Sequence, residues 1–292
     1  MSSTLDIRRR IKSVKNTRQI TRAMEKISAI KMRKAQAAAV QSRRYAALAW
    51  EMMRALEGNV EKNAHPLLKE RAVKRAGFLV VSPDKGLCGS LPSRLLQKIV
   101  AAAPGGVASQ DARWYTIGKK SREALVRLGA HLEADFGATP ALVQAAHSMS
   151  VIGTVVSDYL AGKIDALYLC YTDFVNTLVQ KATVRHILPF NVADVEPELH
   201  RGKKPRFEYA FEPSPEEVLR HLLTRILELQ AYQAILESNA SEHSARMVAM
   251  KSASENAGEM IDGLTLEYNQ VRQQGITREI AEISAGRIAM EG

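Results

Sequence analysis

Beyond Pro215 the chain contains no further proline. From Leu219, steps of three and four residues land on Leu222, Ile226, Leu229, Gln233, Leu236, Ala240, His243, Met247, Met250 and Ser254. The same steps continue through Ala257, Ile261, Leu264, Tyr268, Val271 and Gly275, and thirteen of these seventeen positions are apolar. A 3.5-residue repeat held this long specifies the seam of a left-handed coiled coil, not the broader stripe of a surface helix. At 1.5 Å rise per residue it predicts a helix about 110 Å long.

A seam needs a second strand, and the other end of the chain offers one. Leu5 to Glu57 contains neither Pro nor Gly, and Gly58 and Pro66 then supply a stop. Apolar residues at Ile7, Ile11 and Val14, then at Ile20, Met24, Ile27 and Ile30, mark the expected buried face. Further on, Ala35, Ala37, Ala38, Ala39, Ala46, Ala47 and Ala49 leave room for a close neighbour. Charge supports the pairing. Residues 1–57 carry a net +10, residues 58–215 a net +5 and residues 216–292 a net −5. A basic helix beside an acidic one can pair charges across the seam.

The middle reads differently. GFLVV (77–81), RWYTI (113–117), DALYLCY (165–171) and KATVRHILPF (181–190) are short β-rich runs. Helical segments such as 91–102 and 148–162 lie between them, while PGGVASQD (104–111) and EPELHRGKKPR (196–206) read as loops. The expected fold is therefore α/β: a long antiparallel coiled coil formed by the N- and C-terminal helices, with an inserted α/β sheet domain. The expected boundaries are 1–57 for the first helix, 58–215 for a Rossmann-like domain and 216–292 for the second helix. The second helix is the longer, so its tip, ITREIAEISAGRIAM, should protrude alone with its isoleucines needing an external apolar surface.

Composition narrows the function. Apolar residues make up 46%, charged residues 25% and aromatic residues 5%, so the apolar content is largely aliphatic and suits long helices. No apolar run reaches the roughly 18 residues a membrane span requires, and MSSTLDIRRR lacks the apolar core of a secretory signal. Cys88 and Cys170 have no CxxC companion and are expected as buried, reduced thiols of an intracellular protein. The seven histidines are scattered without HExxH spacing, so neither a metal nor a cofactor is expected.

GKKS (118–121) resembles the end of a P-loop, but Arg113 stands where the first glycine belongs and Lys120 where Ser or Thr belongs. GLCGS (86–90) reads as a tight strand-to-helix turn with Cys88 packed inside, and no GxSxG elbow occurs. The basic stretch IRRRIKSVKNTRQITRAMEKISAIKMRKAQ (7–36) fits a transit peptide, a DNA-reading basic region or a structural strand. A zipper lying some 200 residues away disfavours the DNA reader, and a pattern that runs on for 50 residues without a cleavage-like break disfavours the transit peptide.

That basic stretch, together with SPDKGLCGS (82–90) and SEHSARMVAMKSASENAGEMIDGLTLEYNQVRQQGITREIAEISAG (241–286), resembles the γ subunits of F-type ATP synthases. Leu91-Pro92-Ser93 departs from the family's Tyr-Asn-containing continuation, and Cys88 with Cys170 does not reproduce the redox insert of chloroplast forms. The resemblance implies a subunit with no catalytic site of its own, a rotating central stalk that couples proton flow through the c-ring to ATP synthesis or hydrolysis. It implies alpha, beta and epsilon subunits and the membrane c-ring as partners, one copy per complex, and no nucleic acid. It also implies a peripheral position on the cytoplasmic face of a bacterial plasma membrane, reached only through the complex. The implied contacts with the alpha/beta ring are Met24, Lys31, Arg33, Lys34, Arg246, Arg272, Gln273, Thr277 and Glu282. Those of the foot near the c-ring and epsilon are Phe207, Tyr209 and Glu212. A basic coiled-coil nucleic-acid binder and an α/β enzyme with helical oligomerisation arms are the competing readings.

Overall fold

A computed structural model describes residues 4–57, 65–138, 145–191 and 211–291. Two long helices bracket the chain, α1 (Thr4–Glu57) and α5 (Pro215–Glu291). Between them run β1 (Ala76–Val81), α2 (Leu91–Ala102), β2 (Ala112–Ile117), α3 (Lys119–Arg127), β3 (Leu132–Asp135), α4 (Ala145–Leu160), β4 (Ala166–Phe174) and β5 (Gln180–Leu188). Two compact units result, one of residues 1–28 with 246–292 and the other of residues 29–245, so both long helices contribute to both.

The larger unit is built on one five-stranded sheet of order β3-β2-β1-β4-β5. β1 pairs parallel with β2 and β4, β2 parallel with β3, and β5 closes the edge antiparallel to β4. This is the order of a doubly wound sheet with an antiparallel edge strand. β1 lies at the centre and is buried at every position, which is why AGFLVV is a continuous apolar run without alternation.

The period of two along each strand divides the core. Phe78, Val80, Trp114 and Cys170 point to one face, against Leu95 and Ile99 of α2 and Leu125 of α3. Phe78 there stacks on Trp114 with ring centroids 4.6 Å apart. Leu79, Val81, Tyr115, Leu167 and Leu169 point to the other face. That face is covered by Ile152, Val155 and Tyr159 of α4, by Met53 and Leu56 of α1, and by Leu223, Ile226 and Leu227 of α5. The first part of α5 therefore serves as both seam and sheet cover, which explains burial on nearly all its sides between Leu219 and Ser244.

Two elements are absent from the sequence reading. α3 begins inside GKKS, and β3 is a short edge strand whose LEAD sequence lacks β-branched residues and is held by its pairing with Trp114, Tyr115 and Thr116. The loop 196–206 lies outside the described residues. GLCGS is the tight turn its glycines indicate: Leu87 and Gly89 adopt positive φ, and Cys88 is buried.

Within each unit the long helices pair antiparallel. In the smaller unit, the Arg18 guanidinium lies 3.3 Å from the position a Cβ would take on Gly258, and Lys15, Arg18 and Arg22 border Ile261. In the larger unit, the Ser42 hydroxyl donates to the Gln233 side-chain oxygen, and Tyr45, Ala49 and Met52 lie beside Leu222 and Val218. Gln233 is one of the polar interruptions of the heptad pattern. Its amide also donates to Glu237 Oε1 at 2.7 Å, so the interruption is a satisfied polar pair of the kind that sets register.

The α1 seam corrects the sequence reading. The isoleucines at 20, 27 and 30 are exposed, at 61%, 54% and 56%, and Met24 is half-buried. The positions turned inward are Ile7, Ile11, Val14, Thr21, Glu25 and Ser28 in one unit, then Met32, Ala35, Ala39, Ser42, Ala46, Ala49, Met53 and Leu56 in the other. A strict alternation of four and three residues starting at Ile7 reaches all of these, and it carries the seam onto small polar residues at 21 and 28. The larger isoleucines one position away are left outside. Ala37 and Ala47 also face outward.

Candidate functional site

In a doubly wound sheet, ligands enter the crevice at the carboxyl ends of the strands where the winding direction changes. Here that point lies between β1 and β4, and α5 fills it. Ser238 Oγ donates to Val81 O at 3.5 Å, at the end of β1. Ser241 Oγ donates to Thr172 O at 3.1 Å, in β4, and Ser244 Oγ to Thr177 O at 2.7 Å, in the β4–β5 turn. All three serines are buried.

The neighbouring phosphate-like motif is closed as well. The first amides of α3 are already taken: Lys119 N donates to Asp84 Oδ1 at 3.0 Å, Lys120 N to Pro83 O at 3.0 Å and Ser121 N to Ser82 Oγ at 2.9 Å. Gly118 has φ +95, and a Cβ there would stand 1.9 Å from Ser82 O. The glycine permits this close approach of two backbones, and the helix N-terminus caps on the β1–α2 loop rather than on an anion.

The buried titratable groups are internal. Burial pushes the Cys170 thiol well above its usual range, so it stays protonated. Burial also raises the Tyr115 phenol, helped by its 2.9 Å hydrogen bond to Asp158, whose other oxygen meets Lys163 at 2.8 Å. Among the described residues no cluster of His, Cys, Asp or Glu could hold a metal ion. No described helix is long and apolar enough to cross a membrane.

The surfaces of the long helices remain. On α1, Lys31, Arg33 and Lys34 are exposed next to the outward-facing Ile27 and Ile30. On α5, Arg246 is 7% exposed and so belongs to the chain's own interior. Arg272, Gln273, Thr277 and Glu282 are all exposed, and Gln273 and Thr277 line one shallow hollow with Arg278. Glu212 is exposed at the rim of a groove of about 590 Å³ lined by Tyr45, Leu48, Met52, Val218 and Leu222. Phe207 and Tyr209 lie outside the described residues. Sequence reasoning misses this groove, although Leu48 and Met52 fall off the seam and signal an outward apolar surface. It also misses the serine series SNASEHS, in which every third residue is a serine from 238 to 244.

A family model described as ATP synthase matches residues 3–290. The ATP synthase gamma chain of Roseiflexus castenholzii is 42% identical, with 99% of each chain covered. That of Acidithiobacillus ferrooxidans is 43% identical over 99% of this chain and 100% of its own. The chain belongs to the ATP synthase gamma chain family. The fold agrees with solved structures. The central stalk/c-ring of Tetrahymena thermophila mitochondrial ATP synthase matches with TM-score 0.62 and 24% identity, covering 80% of this chain and 99% of that one. An OSCP/F1/c-ring structure of Euglena gracilis mitochondrial ATP synthase matches with TM-score 0.68 and 16% identity, covering 98% and 94%. As a gamma-family member the chain is a non-catalytic rotor subunit of ATP synthase. The nucleic-acid reading gains no support.

Proposed function

We propose that this gamma-family chain turns inside the ring of alpha and beta subunits and stands, with the epsilon subunit, on the membrane c-ring, coupling proton flow to ATP synthesis or hydrolysis. The supporting observation is the change of burial along α5. Leu219 to Ser244 is buried on nearly all sides, Met250 to Ile261 only along the seam, and every described side chain beyond Val271 is exposed. Ile276, Ile280, Ile283 and Ile288 are among these, at 47%, 59%, 73% and 72%. A helix that shows water so much aliphatic surface is suited to an apolar sleeve.

In this reading residues 1–57 and 216–292 form the shaft and residues 58–215 the domain beside it. Met24 and the exposed Lys31, Arg33 and Lys34 meet an acidic segment of the beta subunits. Arg272, Gln273, Thr277 and Glu282 touch the sleeve, and Arg246 supports the shaft from inside. Phe207, Tyr209 and Glu212 belong to the foot. Exposed charge pairs contribute only about 0–1 kcal/mol each, so such contacts can form and break at every step of a turn. One copy sits in each complex. The complex holds it as a peripheral protein at the cytoplasmic face of a bacterial plasma membrane.

Reconstitution with alpha and beta subunits tests this. ATPase activity should appear only in the assembly, and a bead fixed to the sheet domain should rotate in one direction with ATP. A chain that assembles and supports ATPase while its bead stays still would overturn the reading. So would charge reversal at Arg33 and Lys34 combined with Met24→Lys, if torque and coupling were unchanged.

A further inference from the structure

Ser238, Ser241 and Ser244 follow one another at three-residue intervals, and their acceptors follow the order of the sheet. Val81 ends β1, Thr172 lies in β4, the neighbour of β1, and Thr177 lies in the turn that leads to β5. Three residues of α-helix rise about 4.5 Å. Neighbouring strands are spaced about 4.8 Å apart. A helix crossing the end of the sheet with a serine every third residue thus offers one hydroxyl to β1, one to β4 and one to the turn that leads to β5. The small Ala240 lies buried between the first two and lets the helix approach.

We propose that this serine ladder is the joint that locks α5 to the sheet and carries load between them, a positioning role that rests on the rotor reading. Apolar packing alone is weakly directional. A helix on a greased sheet can turn or creep along its axis without losing much buried area. Three directed hydrogen bonds in register forbid both motions, because a shift of α5 by one residue moves every hydroxyl off its carbonyl. The two shorter bonds, at Thr172 and Thr177, dominate. The second also fastens the β4–β5 turn, itself stiffened by Asn176 Oδ1, which accepts from Leu178 N at 2.9 Å and Val179 N at 2.8 Å. The crevice that serves ligands in other doubly wound sheets serves here as a mechanical socket.

The test uses the full chain and its reconstituted membrane complex, with S241A and S244A singly and together. Hydrogen exchange at the Leu178 and Val179 amides of the double variant should speed up about three- to tenfold, the range expected when a hydrogen bond of ordinary strength is lost. Protons pumped per ATP hydrolysed should fall, while ATP hydrolysis itself persists. Unchanged exchange, or an unchanged proton-to-ATP ratio, overturns the joint. A loss of hydrolysis in parallel with pumping also overturns it, since that marks general damage. The single S241A variant, which leaves the bond to the turn in place, should shift the ratio less than the double variant, and equal shifts would count against a ladder. A wild-type chain that fails to drive rotation would instead sink the rotor reading.

Discussion

Ser241 on α5 donates to the carbonyl oxygen of Thr172 at 3.1 Å, while the hydroxyl of Thr172 itself is buried and has no partner among the described residues. A buried hydroxyl without a partner loses its hydration and gains nothing in return. Thr172→Val keeps the β-branched shape, removes that hydroxyl and leaves the backbone acceptor in place. It should raise stability by about 1 kcal/mol. Thermal unfolding of the full chain should show a higher midpoint; a lower one would mean that the hydroxyl does have a partner in solution.

Gly118 and Gly86 make a matched pair. At Gly118 a Cβ would collide with Ser82 O, and φ is +95; at Gly86 nothing lies within 4 Å. Gly118→Ala should cost about 2–3 kcal/mol or more, from left-handed strain plus a backbone clash. Gly86→Ala should stay within about 0.5 kcal/mol. Urea midpoints compare the two, and equal losses would contradict the close approach of the two loops.

The corrected seam of α1 can be checked directly. Ile27 is 54% exposed and Ser28 is 3% exposed, so neighbouring positions should respond in opposite ways. Ile27→Gln should leave the stability of the isolated chain within about 0.5 kcal/mol. Ser28→Leu should overpack the seam and cost about 1–3 kcal/mol. Helix melting followed by circular dichroism distinguishes them, and the reverse ranking would restore the isoleucine face.

Asp135 sets an acid limit. Partial burial acts to raise its pKa, but hydrogen bonds from Arg122 at 2.8 Å, from Thr116 at 2.9 Å and from the Gly137 amide outweigh it, and the net direction is down. A carboxylate with a folded pKa below its unfolded value contributes stability above the unfolded pKa, about 3.9, and loses it as pH falls through the folded value. Asp135→Asn should therefore flatten the acid limb of stability below about pH 4. A stability profile identical to the parent in that range would show that Asp135 is not depressed.

The α5 seam and the continuous apolar strand β1 are both written locally, in spacing and in residue type. Local pattern is enough there because the 3.5-residue period and a run of buried aliphatic residues each fit one kind of element. β3 and α3 are not legible in the same way. LEAD becomes a strand only because β2 offers it an edge, and GKKS becomes a helix start because Ser82, Pro83 and Asp84 of a distant loop accept its amides.

The same division separates the two helices. α5 carries enough apolar residues on its repeat for the sequence alone to determine which side turns inward. On α1 the sequence offers two candidate faces, one through Ile20, Ile27 and Ile30 and one through Thr21, Ser28 and Met32. Hydrophobicity favours the first and the repeat favours the second. Only the tertiary structure decides, because close helix pairing rewards small residues that interlock at the seam more than large ones that would hold the helices apart. The serine ladder belongs to the same class. Its three-residue spacing is plain in SNASEHS, but its meaning arises only once the strand ends of a folded sheet stand opposite it at a matching interval.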